Sequence, residues 1–210
     1  MLSIEILDLG INNLKSLTSA IREVSNINVR IIQSDQASTN PDLLVLPGVG
    51  SYGTAMSALH DRGFSKLITS HHEKGGLLFG ICLGMQLLGL GSEETVGVKG
   101  LGLIPGQVKR LHSTSRIRVP NVGWSDVETN SYTSQRFQEF NKKDFYFVHS
   151  FYFATEEPSD TLFSATHGTT EFAAGIHREN VLGVQFHPEK SSATGMVFLN
   201  SVIGWASAKA

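Results

Sequence analysis

The 210 residues include a single cysteine, so no disulfide can close within the chain, and a reducing compartment, the cytoplasm, is expected. Neither sign of charge dominates. With 17 Lys and Arg against 19 Asp and Glu, the formal net charge is −2, which leaves no field to attract a nucleic-acid backbone or an anionic membrane. The start MLSIEILDLG lacks the basic segment and small-residue cleavage site of a secretory signal. No apolar run reaches the ~20 residues a membrane-spanning helix needs. The strongest contender, residues 75–91, carries Gln86 and is interrupted by glycine throughout. There is no internal repeat, low-complexity tract, P-loop or dinucleotide fingerprint. A chain of this length with 40% hydrophobic residues can bury one substantial core, and one domain over residues 1–210 is expected.

Apolar spacing organises that core. Residues 3–7, 29–32 and 43–46 read as strands, while Leu14, Leu17 and Ile21 fall at helical spacing. This strand, helix, strand rhythm predicts a largely parallel sheet. Helices are expected around 55–59 and 64–72, followed by 77–81, whose lack of polar residues marks a fully buried central strand. Later strands are expected at 103–111, 117–119 and 145–153, with a short helix around 134–140. Residues 162–166, 172–177 and 181–186 form a meander broken at His167-Gly168 and Arg178-Glu179-Asn180, and 193–206 closes as a helix.

The one cysteine sits in a telling place. Gly80-Ile81-Cys82-Leu83-Gly84 joins the buried strand to helical residues, and a nucleophile on such a bend is exposed while small neighbours relieve crowding. Backbone N–H groups at the start of the helix favour a thiolate, and that of Leu83 is aimed at a developing oxyanion. A hundred positions later, VQFHPEKS supplies His187 and Glu189, which share a face of an extended segment stiffened by Pro188. These types in this pattern suit a nucleophile, a base and an orienting acid, Cys82, His187 and Glu189. His71-His72, at a helix end with no further ligand at metal spacing, reads as a solvated terminus. Glu93-Glu94 and Lys142-Lys143 read as exposed charge.

GICLGMQ together with QFHPEKS resembles the class I, or triad, glutamine amidotransferases, and DLGINNLKSL, LPGVGSYGTAM, VPNVGWSDV and YFVHSFYF resemble, in order, segments of the HisH family of imidazole glycerol phosphate synthase subunits. Met85 and the PGVG of residues 47–50 favour that branch. The resemblance implies a three-layer α/β (flavodoxin-like) fold with a mostly parallel central sheet and C-terminal β-hairpins. It implies hydrolysis of glutamine to glutamate and ammonia, with no cofactor and no metal. Gly50, Gln86, His149, Ser150 and Phe151 are then expected to hold glutamine. Val49 joins Leu83 at the oxyanion after a peptide flip that glycines on either side make cheap and that the partner triggers. For His149, inside an aromatic strand, a satisfied core histidine and a substrate contact both stay open.

Ammonia released into water is protonated and diluted, and nothing else in the chain would capture it. The resemblance therefore implies a heterodimer with a barrel-shaped cyclase of the HisF type in histidine biosynthesis. Asn13, Trp124, Tyr146 and Lys190 match interface positions of the family; for Trp124 plain core packing is the alternative. Departures at Leu9, Asn12, Asn121, Ser125 and Phe151 leave two other readings open. One is a paralogue supplying ammonia to a HisF-like synthase of surface-sugar amidines, and the other a catalytically silent regulatory subunit.

Overall fold

A computed structural model describes residues 2–10, 14–25, 27–115 and 117–209. The first half runs β1 (Ser3–Leu7), α1 (Leu14–Val24), β2 (Asn28–Ile32), β3 (Leu43–Gly48), α2 (Tyr52–Asp61), α3 (Phe64–Glu73), β4 (Leu77–Cys82) and α4 (Leu83–Leu87). The second half is strand-rich: β5 (Gly91–Ser92), β6 (Gly106–Arg110), β7 (Asn121–Thr129), β8 (Lys143–His149), β9 (Phe151–Thr155), β10 (Thr161–His167), β11 (Thr170–Arg178) and β12 (Val181–Val184), closed by α5 (Ser192–Ser207). The strands join one sheet whose main path is β2-β1-β3-β4-β12-β11-β10-β7-β8. From β2 to β12 every pairing is parallel; from β12 onward it is antiparallel. The fold is thus the expected α/β class, with a parallel centre and hairpins toward the C-terminus. Among the described residues no helix is long and apolar enough to cross a membrane.

Strand β4 shows why the sheet is covered on both faces. All six of its residues are buried. Leu77, Phe79 and Ile81 belong to a core shared with Leu14, Leu17 and Ile21 of α1 and with Phe198, Leu199 and Val202 of α5. Leu78, between them on the other face, packs with Ala55 and Leu59 of α2 and Phe64 and Ile68 of α3. Cys82 breaks this alternation. Its parity would send it to the α2–α3 side, but it joins the other core. A backbone at φ 54, ψ −111 turns it there.

Several expectations change. Residues 145–153 form two strands rather than one, broken at Ser150, because β8 pairs with β7 while β9 pairs with β6. Residues 117–119 form no strand; Pro120 has no N–H for a ladder, and β7 starts after it, at Asn121. The strand expected over 103–111 is confined to β6, and the helix over 134–140 is a 3-10 turn, Gln135–Phe140. His71 is not a solvated end. It is buried beside Gly76, and its Nε2 faces the Leu77 carbonyl at 3.1 Å.

The α1–α5 side is dominated by aromatics. The ring of Phe198, fully buried, lies with its centroid 5.2 to 6.3 Å from those of Phe79, Phe137, Phe140, Phe145, Phe163 and Phe186. This one side chain joins α5 to β4, β8, β10 and the 3-10 turn. Replacement Phe198→Ala is expected to cost ~3–5 kcal/mol and lower Tm by ~10 °C, read by thermal unfolding.

Candidate active site

The bend at Cys82 is held by close packing rather than by side-chain capping. A Cβ at Gly84 would sit 1.7 Å from the Leu46 carbonyl oxygen, and one at Gly80 would sit 2.8 Å from the Met85 nitrogen. Only glycine lets the bend approach β3 and close on itself. The positive φ of a non-glycine residue stores on the order of 1–3 kcal/mol of strain, which such packing has to sustain. The helix that follows has only five residues, Leu83–Leu87. Its dipole is therefore small, and the local contribution to the site is the N–H of Leu83, which has no partner within the helix.

His187 reaches Cys82 through sheet register. Parallel pairing of β12 with β4 sets Val184 beside Ile81, so the next residues along each strand, Gln185 and Cys82, lie side by side. The backbone after β12 is then pinned. His187 N–H donates to the Tyr146 carbonyl at 2.9 Å, and the buried Ser191 hydroxyl donates to the His187 carbonyl at 2.7 Å while accepting the Tyr146 N–H at 2.9 Å.

His187 Nδ1 and Glu189 Oε1 are 2.8 Å apart. A carboxylate only accepts, so a proton stays on Nδ1 and the opposite nitrogen, Nε2, is the one that gains and loses a proton. Nε2 is buried on the side of the ring that meets Cys82, whose hydrogen bond and charge both act on the imidazole. Burial pushes the imidazole down, and Cys82 and Glu189 together outweigh it, raising His187 to about 10.

These residues open into a cleft of about 480 Å³, lined by Val49, Gly50, Leu83, Gln86, His149, Ser150 and Phe151 together with Cys82 and His187. All the residues expected to bind substrate or oxyanion are thus brought to one place. Gln86 donates both amide hydrogens inward, to the Phe151 carbonyl and to Gln185 Oε1, each at 2.9 Å. Its Oε1 is left as the group able to meet a ligand. His149 is a satisfied buried histidine. Nδ1 donates to the Phe151 carbonyl at 2.9 Å and Nε2 accepts from Asn121 Nδ2 at 3.1 Å, so no ring nitrogen is left for a ligand. Burial first, with the charges of His167 and His187, lowers it to about 4.

Three contributors went unrecognised in the sequence. Glu94 is not exposed charge: it lines the cleft and accepts the Tyr52 N–H at 2.8 Å. Asn121 orients His149. Gln185, fully buried, contacts both Gln86 and Cys82. A lone polar residue within the apolar run VLGVQF was the available signal. Of the interface candidates, Lys190 is at the cleft, and Trp124 is half-exposed and edge-on to Tyr146 with ring centroids 6.1 Å apart, which removes the core-packing alternative. Asn13 lies outside the described residues.

Residues 5–203 match the family model described as glutamine amidotransferase class-I. The chain belongs to the class-I glutamine amidotransferase family. It is 40% identical over 194 residues to imidazole glycerol phosphate synthase subunit HisH of Thermus thermophilus, covering 92% of this chain and 93% of that one. It is also 36% identical over 197 residues to imidazole glycerol phosphate synthase hisHF of Arabidopsis thaliana, covering 93% of this chain and 33% of that longer protein. Such identity makes the chain a member of the HisH family as well. Among solved structures, PurLQS of Thermotoga maritima matches with TM-score 0.73 at 20% identity, over 97% of this chain and 99% of that one, a likeness of fold.

The Cys–His–Glu geometry of this amidotransferase fold predicts a titration. His187 is expected to lose its proton only as pH rises through about 10, and Glu189→Gln, which removes the anion at Nδ1, is expected to move that loss to lower pH. The His187 ring resonances followed by NMR across the alkaline range check it; an unmoved titration contradicts the pairing.

Proposed function

We propose that this chain is the glutaminase subunit of an imidazole glycerol phosphate synthase, acting as one amidotransferase domain in the cytoplasm and handing ammonia to a HisF-type cyclase in histidine biosynthesis. The arrangement that carries this reading is the His187–Glu189 pair at 2.8 Å with the opposite imidazole nitrogen turned toward a sulfur on a strained bend.

In the proposed reaction Cys82 sulfur attacks the side-chain amide carbon of glutamine, and His187 takes the thiol proton. The carbonyl oxygen becomes an oxyanion that accepts hydrogen bonds from the N–H of Leu83 and, after rotation of the loop, from the Val49 segment. The C–N bond then breaks, His187 gives its proton to the leaving nitrogen, and ammonia departs from a thioester. Water cleaves the thioester to glutamate with His187 as base. Glu189 holds the ring tautomer throughout. Gln86 Oε1 accepts from the substrate amide, Glu94 offers the α-ammonium a counter-charge, and Gly50 with the segment Ser150-Phe151 offers backbone groups. His149 supports that segment from behind.

Loop rotation is easy at Gly50, whose φ is 94 and whose surroundings are open. This supports a resting state with little activity and stimulation by the partner. Val122 and Trp124, exposed on β7, with the half-buried Tyr146 on β8 and Lys190 at the cleft rim, form the proposed docking face.

Glutaminase assay of the full chain with and without a HisF-type cyclase tests the reading. Slow hydrolysis alone, strong stimulation by the cyclase, and loss of turnover in Cys82→Ala and His187→Ala are expected. Full activity without a partner contradicts the loop switch, and near-normal turnover in either variant contradicts the mechanism. For docking, Trp124→Ala is expected to weaken the complex at least ~10-fold. The part of the fluorescence change on adding cyclase that disappears in Trp124→Ala reports Trp124, which is exposed while Trp205 is buried, and an identical change in both argues against this face.

A further inference from the structure

A chain of amide groups ends on the sulfur of Cys82, and its direction is fixed from the far end. The Phe151 carbonyl only accepts, so the group of Gln86 that meets it at 2.9 Å is the NH₂. The same nitrogen lies 2.9 Å from the Gln185 amide, so Gln185 must turn its oxygen that way. Its own NH₂ is then left facing Cys82, with Nε2 3.5 Å from Sγ, a normal separation for an N–H donor to sulfur. Gln185 is completely buried, and its backbone N–H is tied to the Ala174 carbonyl at 2.9 Å, so the side chain cannot easily turn away.

The pattern around the sulfur changes with its charge. As a thiol, Cys82 points its hydrogen toward the Val148 carbonyl at 3.9 Å and accepts from Gln185. As a thiolate it has no hydrogen to give, and the Gln185 N–H becomes a charge-assisted bond on the side away from solvent. Gln185 therefore meets the sulfur alongside His187, whose imidazole also bonds to it.

We propose that Gln185 is a further catalytic residue, whose Nε2–H binds the Cys82 sulfur, stabilises its anionic form and aims its lone pair at the substrate carbon. It rests on the glutaminase reading for its place in a reaction, but the contact itself does not. The donor acts with His187 rather than in place of it: His187 moves the proton, and Gln185 moves none.

Because Cys82 is the only cysteine, iodoacetamide reports on this sulfur alone. In the full chain, Gln185→Leu removes the donor at similar size, and Gln185→Glu keeps an acceptor for Gln86 while presenting oxygen to the sulfur. Both are expected to slow alkylation at neutral pH about ten- to hundredfold, as loss of a hydrogen bond to a charged group would. With the cyclase present, kcat for glutamine should fall by a similar factor while KM stays within about twofold. Variants that keep the wild-type circular dichroism and alkylate at the wild-type rate overturn the proposal, whatever their glutaminase rate. Slower alkylation in a chain that never hydrolyses glutamine would support the contact and remove only the functional reading. If the Gln185 variants do not fold, the contact is read from the other side in isotope-labelled Cys82→Ala protein. There the Gln185 side-chain amide resonances should move on loss of the sulfur, and unmoved resonances overturn the proposal.

Discussion

The parallel pairing of β12 with β4 is the contact on which the site depends. Val181 through Val184 lie beside Leu78 through Ile81 in unbroken register. Both strands are fully buried, and a slip by one residue would turn each side chain to the opposite face. The register brings together the two ends of residues otherwise separated by a hundred positions: the bend at Cys82 and the segment of Gln185, His187 and Glu189. Every other feature of the cleft is arranged around that meeting.

Two kinds of rigidity serve it. At Cys82 the backbone is held in a strained conformation, and the glycines that permit it leave no room for relaxation, since Gly84 presses against the Leu46 carbonyl and Gly80 against the turn itself. At His187 the backbone is held by hydrogen bonds through Ser191 to Tyr146, so the helix α5 and strand β8 both bear on the imidazole. The Val49–Gly50 side differs. Val49 is partly exposed and a side chain at Gly50 would meet open space, so this wall of the cleft is packed less tightly than the bend.

Much of this was readable in the residues. The apolar run 77–81 between turn residues marked a buried central strand, and Gly-x-Cys-x-Gly marked the bend, because few other chemistries need glycine two residues to either side of a cysteine. His187 and Glu189 followed from spacing two apart beside Pro188. What was hidden was the partnering of polar side chains with distant ones. Glu94 looks like any surface acid until β5 and its following turn carry it to the Tyr52 N–H. His149 looked equally suited to core or ligand until both its nitrogens were found engaged. The break at Ser150 was invisible for a related reason: an aromatic-rich run has no local signal that its two halves pair with different neighbours.

By itself the sequence determined the alternation of strands and helices, the position of the bend and the side-chain types offered near it, a thiol on the bend and an imidazole two places from a carboxylate, because each of these depends on residues within a few places of one another. The tertiary structure alone decided which atoms meet. Register across β4 and β12 selected the neighbours of the sulfur, and burial turned Gln86, Gln185 and His149 into one directed network. Hydrogen bonds between such groups have strict geometry and no counterpart in local sequence, so they exist only once the sheet has closed.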